Sequence, residues 1–181
     1  FFSRDRNWSR GLPWYSTQFA DCPADSVKGE FSTSYLCHEH AAERIHRMCP
    51  RAKLIASLRN PVERAHSNFI NDIKAGAVPP GCSFREAKAD HPEYISQGRY
   101  AAQLKRFLHY FERGQILVLI YEDALKDPQG FIRDIYRFLD VDADVVPSML
   151  RIRINEKRIP RVRFVEKAMQ LVSAGLRRSG F

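Results

Sequence analysis

Arg59 and Ser67, eight residues apart, are the pair in this chain best suited to hold an anion. Lys53 to Leu58 is a short, mostly apolar run of the kind found in buried parallel strands, and Arg59 stands at its carboxyl end. Asn60 is a good N-cap, Pro61 suits the first helical position, and Glu63 stands where a capping box wants an acid. A helix N-terminus with a guanidinium beside it favours negative charge, and in open α/β sheets ligands gather at the carboxyl ends of the strands. Asn60 to Ser67 spans ~10 Å along a straight helix, so an anion meeting both Arg59 and Ser67 lies beside the first two turns. The second candidate group is Glu30, at the end of a predicted short strand, Ser26–Glu30. A carboxylate there acts as a general base if its pKa is raised. Ser32, Thr33 and Ser34 follow it, and their plain role is turn chemistry.

The elements that position these groups are legible in the periodicity. Residues 1–25 read as loop, Cys37–Met48 as a helix with Ala41, Ile45 and Met48 on one face, and 61–75 as a helix. On the latter, Val62, Ala65, Phe69 and Ile73 make an apolar stripe, while Glu63, Ser67 and Asn71 stack on another face. Ser83 caps a short helix with Glu86 as its box partner. Tyr100, Leu104, Phe107, Leu108 and Phe111 mark a strongly amphipathic helix and are assigned to the core. Ile116–Tyr121 is a third strand, and Asp127-Pro128 opens a helix to about Leu139 with Phe131, Ile132, Ile135 and Phe138 inward. A basic run, 151–163, precedes a last helix carrying Val162, Val165, Met169, Val172 and Leu176. Strands separated by helices imply right-handed crossovers and a parallel sheet.

Composition narrows the class. At 181 residues the chain suits one domain, and 44% hydrophobic with 28% charged residues is globular rather than disordered. No apolar run reaches the ~20 residues that span a bilayer. Cys22, Cys37, Cys49 and Cys82 show no metal-ligand spacing, and His38 and His40 share a predicted helix but not a face, so no metal site is expected. A net charge of +8 favours an anionic partner. Nucleic acid is disfavoured, because the aromatics sit on core stripes rather than among the basic residues.

The segment from Lys53 through Arg59-Asn60-Pro61 to Ser67 resembles the 3′-phosphate-binding motif of sulfotransferases that use 3′-phosphoadenosine 5′-phosphosulfate (PAPS). Phe1-Phe2 with Gly11-Leu12-Pro13-Trp14-Tyr15, then Gly29–Leu36, then Gln115–Leu125 with Asp127-Pro128, resemble further segments of that family in order. The likeness covers most of residues 1–142 and is to bacterial and heparan-sulfate-type members.

The resemblance implies an α/β fold, a P-loop NTPase-like parallel sheet flanked by helices. Residues 1–181 then form a single sulfotransferase-like domain, incomplete at its N-terminus. The phosphate-loop strand and the family's usual base are expected upstream of Phe1, and a first residue other than Met agrees. The implied reaction moves a sulfuryl group from PAPS, the co-substrate, to a hydroxyl or amine without a metal. Arg59, Ser67 and Arg161 would bind the nucleotide. Glu30 would be catalytic, and Ser32, Thr33, Ser34 and Asn71 would line the acceptor side. The family has Lys where this chain has Phe31. The partners are a small-molecule nucleotide and an acceptor of open identity, glycans included. The implied location is the cytoplasm for a bacterial chain, with the Golgi lumen left open. The alternative is a non-catalytic basic module that binds acidic glycans or other anions, and the fragment alone is expected to be inactive.

Overall fold

The computed structural model describes residues 1–151. The basic run beyond Arg151, Arg161 within it and the expected last helix lie outside the described residues. Two strands, β1 (Leu54–Leu58) and β2 (Ile116–Ile120), pair in parallel, with Leu54 opposite Ile116 and Leu58 opposite Ile120. Before β1 come α1 (Asp5–Trp8), α2 (Gly11–Thr17) and α3 (Ala41–Met48). Between the strands lie α4 (Pro61–Ala75), α5 (Phe84–Asp90), α6 (Glu93–Ser96) and α7 (Tyr100–Leu108). After β2 follow α8 (Tyr121–Lys126) and α9 (Pro128–Leu139).

The core has two parts. One gathers Phe2, Ala41, Ala42, Ile45, Phe107, Phe111 and Ile116, so that α3 and α7 close on the start of β2. The other gathers Ala65, Phe69, Val78, Ala87 and Tyr94 under α4, α5 and α6. There Tyr94 Oη donates to Asp72 Oδ2 at 2.5 Å, which satisfies a phenol that is otherwise fully buried. Polar ties fix the strand starts. Gln115 Nε2 donates to the carbonyls of Pro50 at 2.9 Å and Ala52 at 3.3 Å. Lys53 Nζ donates to Phe138 O at 2.7 Å and pairs with Asp140, anchoring the end of α9.

The N-caps read from sequence form at Asn60, Ser83 and Asp127, but Glu63 closes no capping box at α4: the Asn60 N–H goes to Glu122, and Glu63 pairs with Arg59. Asn60 Oδ1 accepts the N–H groups of Val62 and Glu63, Ser83 and Glu86 complete a capping box, and Asp127 Oδ1 accepts the Gly130 N–H at 2.9 Å.

Several expectations are corrected. Ser26–Glu30 is irregular and exposed, because no strand among the described residues pairs with it. The helix expected from Cys37 begins at Ala41; the preceding residues turn, with the His38 N–H on Ser34 O, and the His38 and His40 rings meet edge to face at 5.9 Å. Residues 1–25 hold the two short helices α1 and α2. β1 is not covered on both faces: Ile55 is 40% exposed and Ser57 is exposed. The amphipathic helix ends at Leu108, which is itself exposed, and Tyr100 is only half-buried at a cavity wall rather than in the core. The third strand stops at Ile120, and Tyr121 opens α8.

Candidate functional site

The carboxyl ends of the paired strands put Arg59, Asn60, Tyr121 and Glu122 side by side, because Leu58 stands opposite Ile120. Arg59 Nη2 meets Glu63 Oε2 at 3.4 Å, and its guanidinium lies 5.5 Å from the Tyr121 ring centroid. The side chain keeps 27% of its surface open, so an anion can reach it. Asn60 is held from both sides. Its Oδ1 takes the first N–H groups of α4, and its own N–H donates to Glu122 Oε1 at 2.9 Å. Tyr121 and Glu122 escaped the sequence reading. The signal that finds them is strand register, which no local pattern carries.

α4 is stitched to the turn before α7. Arg64 donates to Gln97 Oε1 at 3.2 Å and to the Tyr94 carbonyl, and Asn68 Nδ2 reaches the same Gln97 oxygen at 3.3 Å. The contact is close at Gly98, where an added Cβ would stand 3.0 Å from Pro61 Cβ and the neighbour would have to give by a few tenths of an ångström. Gln103 is 4% exposed; its Nε2 donates to Ser96 O at 3.1 Å, while its Oε1 and Arg64 Nε are buried without partners. Gln103 gives no sequence signal of this role, since it sits among the apolar positions of an amphipathic helix.

Two cavities meet at residues 30–35. The first, of about 360 Å³, is lined by Glu30, Thr33, Tyr35, Arg59, Arg64, Tyr100 and Gln103 together with five consecutive residues, Lys53 to Ser57. Five in a row means that the edge of β1 faces the cavity, since one face alone would offer alternate residues. The second cavity lies between Phe1–Asn7 and Glu30–Tyr35. Glu30, Ser32 and Thr33 line both, and Ser34 lines the second. Thus Glu30 and Arg59 share a wall. Ser67, half-buried, and Asn71, exposed, ride on α4 outside both cavities.

Glu30 is exposed in the irregular stretch before Ser32, but its carboxylate faces two phenols. Burial, with Glu30 nearby, pushes the hydroxyls of Tyr15 and Tyr35 well above the usual phenol range. Tyr35 Oη also accepts the Phe2 N–H at 3.2 Å. Ser34 Oγ is engaged by Ser3 Oγ at 2.7 Å and Ser32 Oγ at 3.0 Å, so part of the Ser/Thr turn fastens residues 1–4 to residues 32–34. The arrangement offers a guanidinium at a strand end and a carboxylate with hydroxyls lining one cavity. That combination suits an anionic donor on one side and a hydroxyl- or amine-bearing acceptor on the other.

Residues 14–145 match a family model described as "Sulfotransferase family". Human heparan sulfate glucosamine 3-O-sulfotransferase 6 is 32% identical over 144 residues, covering 75% of this chain and 41% of that protein. Human bifunctional heparan sulfate N-deacetylase/N-sulfotransferase 3 is 29% identical over 160 residues, covering 78% of this chain and 18% of that one. The chain therefore spans less than half the length of these curated relatives. Among solved structures, a sulfotransferase from Alicyclobacillus acidocaldarius superposes with a TM-score of 0.72 at 32% identity, over 88% of this chain and 66% of its own. The sulfotransferase domain from the curacin biosynthetic pathway shares the fold, with a TM-score of 0.58 at 18% identity over 85% and 51% of the two chains. No helix among the described residues is long and apolar enough to cross a membrane.

Proposed function

The chain belongs to the sulfotransferase family, and on that premise we propose that it forms part of an enzyme transferring a sulfuryl group from PAPS to a hydroxyl or amine. The observation that carries this reading is Arg59, a partly open guanidinium at the carboxyl end of β1, beside the capped start of α4 and lining the same cavity as Glu30. Asn60 already takes the first N–H groups of α4, so a 3′-phosphate sits beside the helix, where Arg59 reaches over and Ser67 adds its hydroxyl. Arg161, outside the described residues, is a further candidate for the nucleotide. PAPS supplies the activated sulfuryl group. Glu30 takes the acceptor's proton and Ser32, Thr33 and Ser34 orient the acceptor, while Asn71, outside both cavities, is a further acceptor-side candidate only for a substrate long enough to run along α4.

We also propose that residues 1–181 do not complete the site. Among the described residues, no strand covers the edge of β1 that faces the cavity, and Gln103 Oε1 and Arg64 Nε lie buried there without partners. A further extended segment pairing with β1 would take up the backbone groups of that edge.

The test is calorimetry of the full-length protein with adenosine 3′,5′-bisphosphate. A charge-assisted phosphate contact contributes about 1.5–3 kcal/mol, so Arg59→Ala should weaken binding roughly tenfold or more, and Ser67→Ala less. Unchanged affinity in Arg59→Ala would remove the assignment.

A further inference from the structure

Arg59 and Ser67 stand eight residues apart, and the segment 94–98 runs along the part of α4 that separates them. At the near end Gly98 lies against Pro61, where an added Cβ would stand 3.0 Å from Pro61 Cβ. In the middle Arg64 donates to the Tyr94 carbonyl and, through Nη1, to Gln97 Oε1 at 3.2 Å. At the far end Asn68, next to Ser67, donates from Nδ2 to that same Gln97 oxygen at 3.3 Å. One amide oxygen thus joins two consecutive turns of α4, and Gln97 lines the cavity that Arg59 and Arg64 also line. The segment is itself pinned from α7, since the buried Gln103 donates from Nε2 to Ser96 O at 3.1 Å. α4 already packs on its core through Ala65 and Phe69. Apolar packing is non-directional and tolerates small slides and rotations, whereas hydrogen bonds do not, so these polar ties set where along the strand end the helix face stands.

We propose that Gln97 is a positioning residue for the nucleotide: through Arg64 and Asn68 it holds α4 at the rotation and height that let Ser67 and Arg59 reach one 3′-phosphate together. This rests on the sulfuryl-transfer reading and deepens its nucleotide site. Two ligands on different elements share one small anion only if the second layer of contacts fixes their separation.

The experiment is calorimetry of the full-length protein with adenosine 3′,5′-bisphosphate and, as the probe without a 3′-phosphate, adenosine 5′-monophosphate. Gln97→Met keeps the bulk of the side chain and removes the shared acceptor. It should weaken the bisphosphate about three- to tenfold and leave the monophosphate unchanged. In an Arg59→Ala/Ser67→Ala background the same substitution should cost nothing further, because no pair remains to be aligned. Gly98→Ala, which crowds Pro61 at the other end of the brace, should show the same selective loss, and it carries the test if Gln97→Met does not fold. Equal loss for both nucleotides, the same loss in both backgrounds, or no loss overturns the proposal and leaves Gln97 a purely structural contact. If the unmodified protein binds the two nucleotides equally, the assignment of Arg59 and Ser67 to a 3′-phosphate falls, and this inference with it. A 3′-phosphate preference that Arg59→Ala abolishes but Gln97→Met leaves intact refutes this inference alone.

Discussion

At the scale of single residues, Glu30 is where chemistry and stability can be told apart. It is exposed, so Glu30→Gln should leave folding and nucleotide affinity nearly unchanged. If its carboxylate takes the acceptor's proton, turnover in the full-length protein should fall about 100-fold or more, the scale of a lost general base. Turnover equal to the unmodified protein would reduce Glu30 to a carboxylate near Tyr15 and Tyr35. Arg59 and Glu30 were legible in the sequence because each stands at a chemically distinctive place: a cation after an apolar run, an acid before a Ser/Thr turn. Tyr121, Glu122 and Gln103 were not, because what they do depends on which strand lies beside which. Their neighbours in sequence say nothing of the Asn60 N–H or the cavity wall.

At the scale of elements, local chemistry decided most outcomes. α4, α5 and α9 start where Asn60, Ser83 and Asp127 place caps, and α4 ends at Gly76, which takes the left-handed conformation at φ 74°. Asn60→Ala should cost about 1 kcal/mol in a denaturant melt through loss of the cap, while the Glu122 bond to the residue-60 N–H remains. The capping box at α5 also titrates. The Ser83 N–H and hydroxyl hold the Glu86 carboxyl below its usual range. A depressed folded pKa means that this contribution is present at neutral pH and is lost as pH falls below about 4.5. Glu86→Gln should therefore flatten the acid limb of a pH–melting curve, and an unaltered limb would show that the box adds no linkage. Ser26–Glu30 was misread because a strand needs a partner as well as a composition. Tyr100 left the core for a cavity wall because α7 packs through Phe107 and Gln103, not through its first turn.

At the scale of the whole molecule, the deciding feature is the flank of β1 that no strand among the described residues covers. Residues 1–181 should show no measurable transfer of radiolabelled sulfate, since removing even one preorganised charge-stabilising donor costs ~100- to 1000-fold. A version extended upstream should be active, and equal activity in the two would refute the claim. The parallel β1–β2 pairing carries a separate consequence, in time rather than in energy. The partners lie about sixty residues apart in sequence. At a synthesis rate of roughly 5–20 residues per second, β1 leaves the ribosome several seconds before β2 exists. The helix after β1 forms within microseconds, so the nascent chain presents a finished, capped α4 beside a strand still waiting for its neighbour. During that interval β1 is open to a chaperone or to another nascent copy, and yield from cells should depend on translation speed across the segment between the strands.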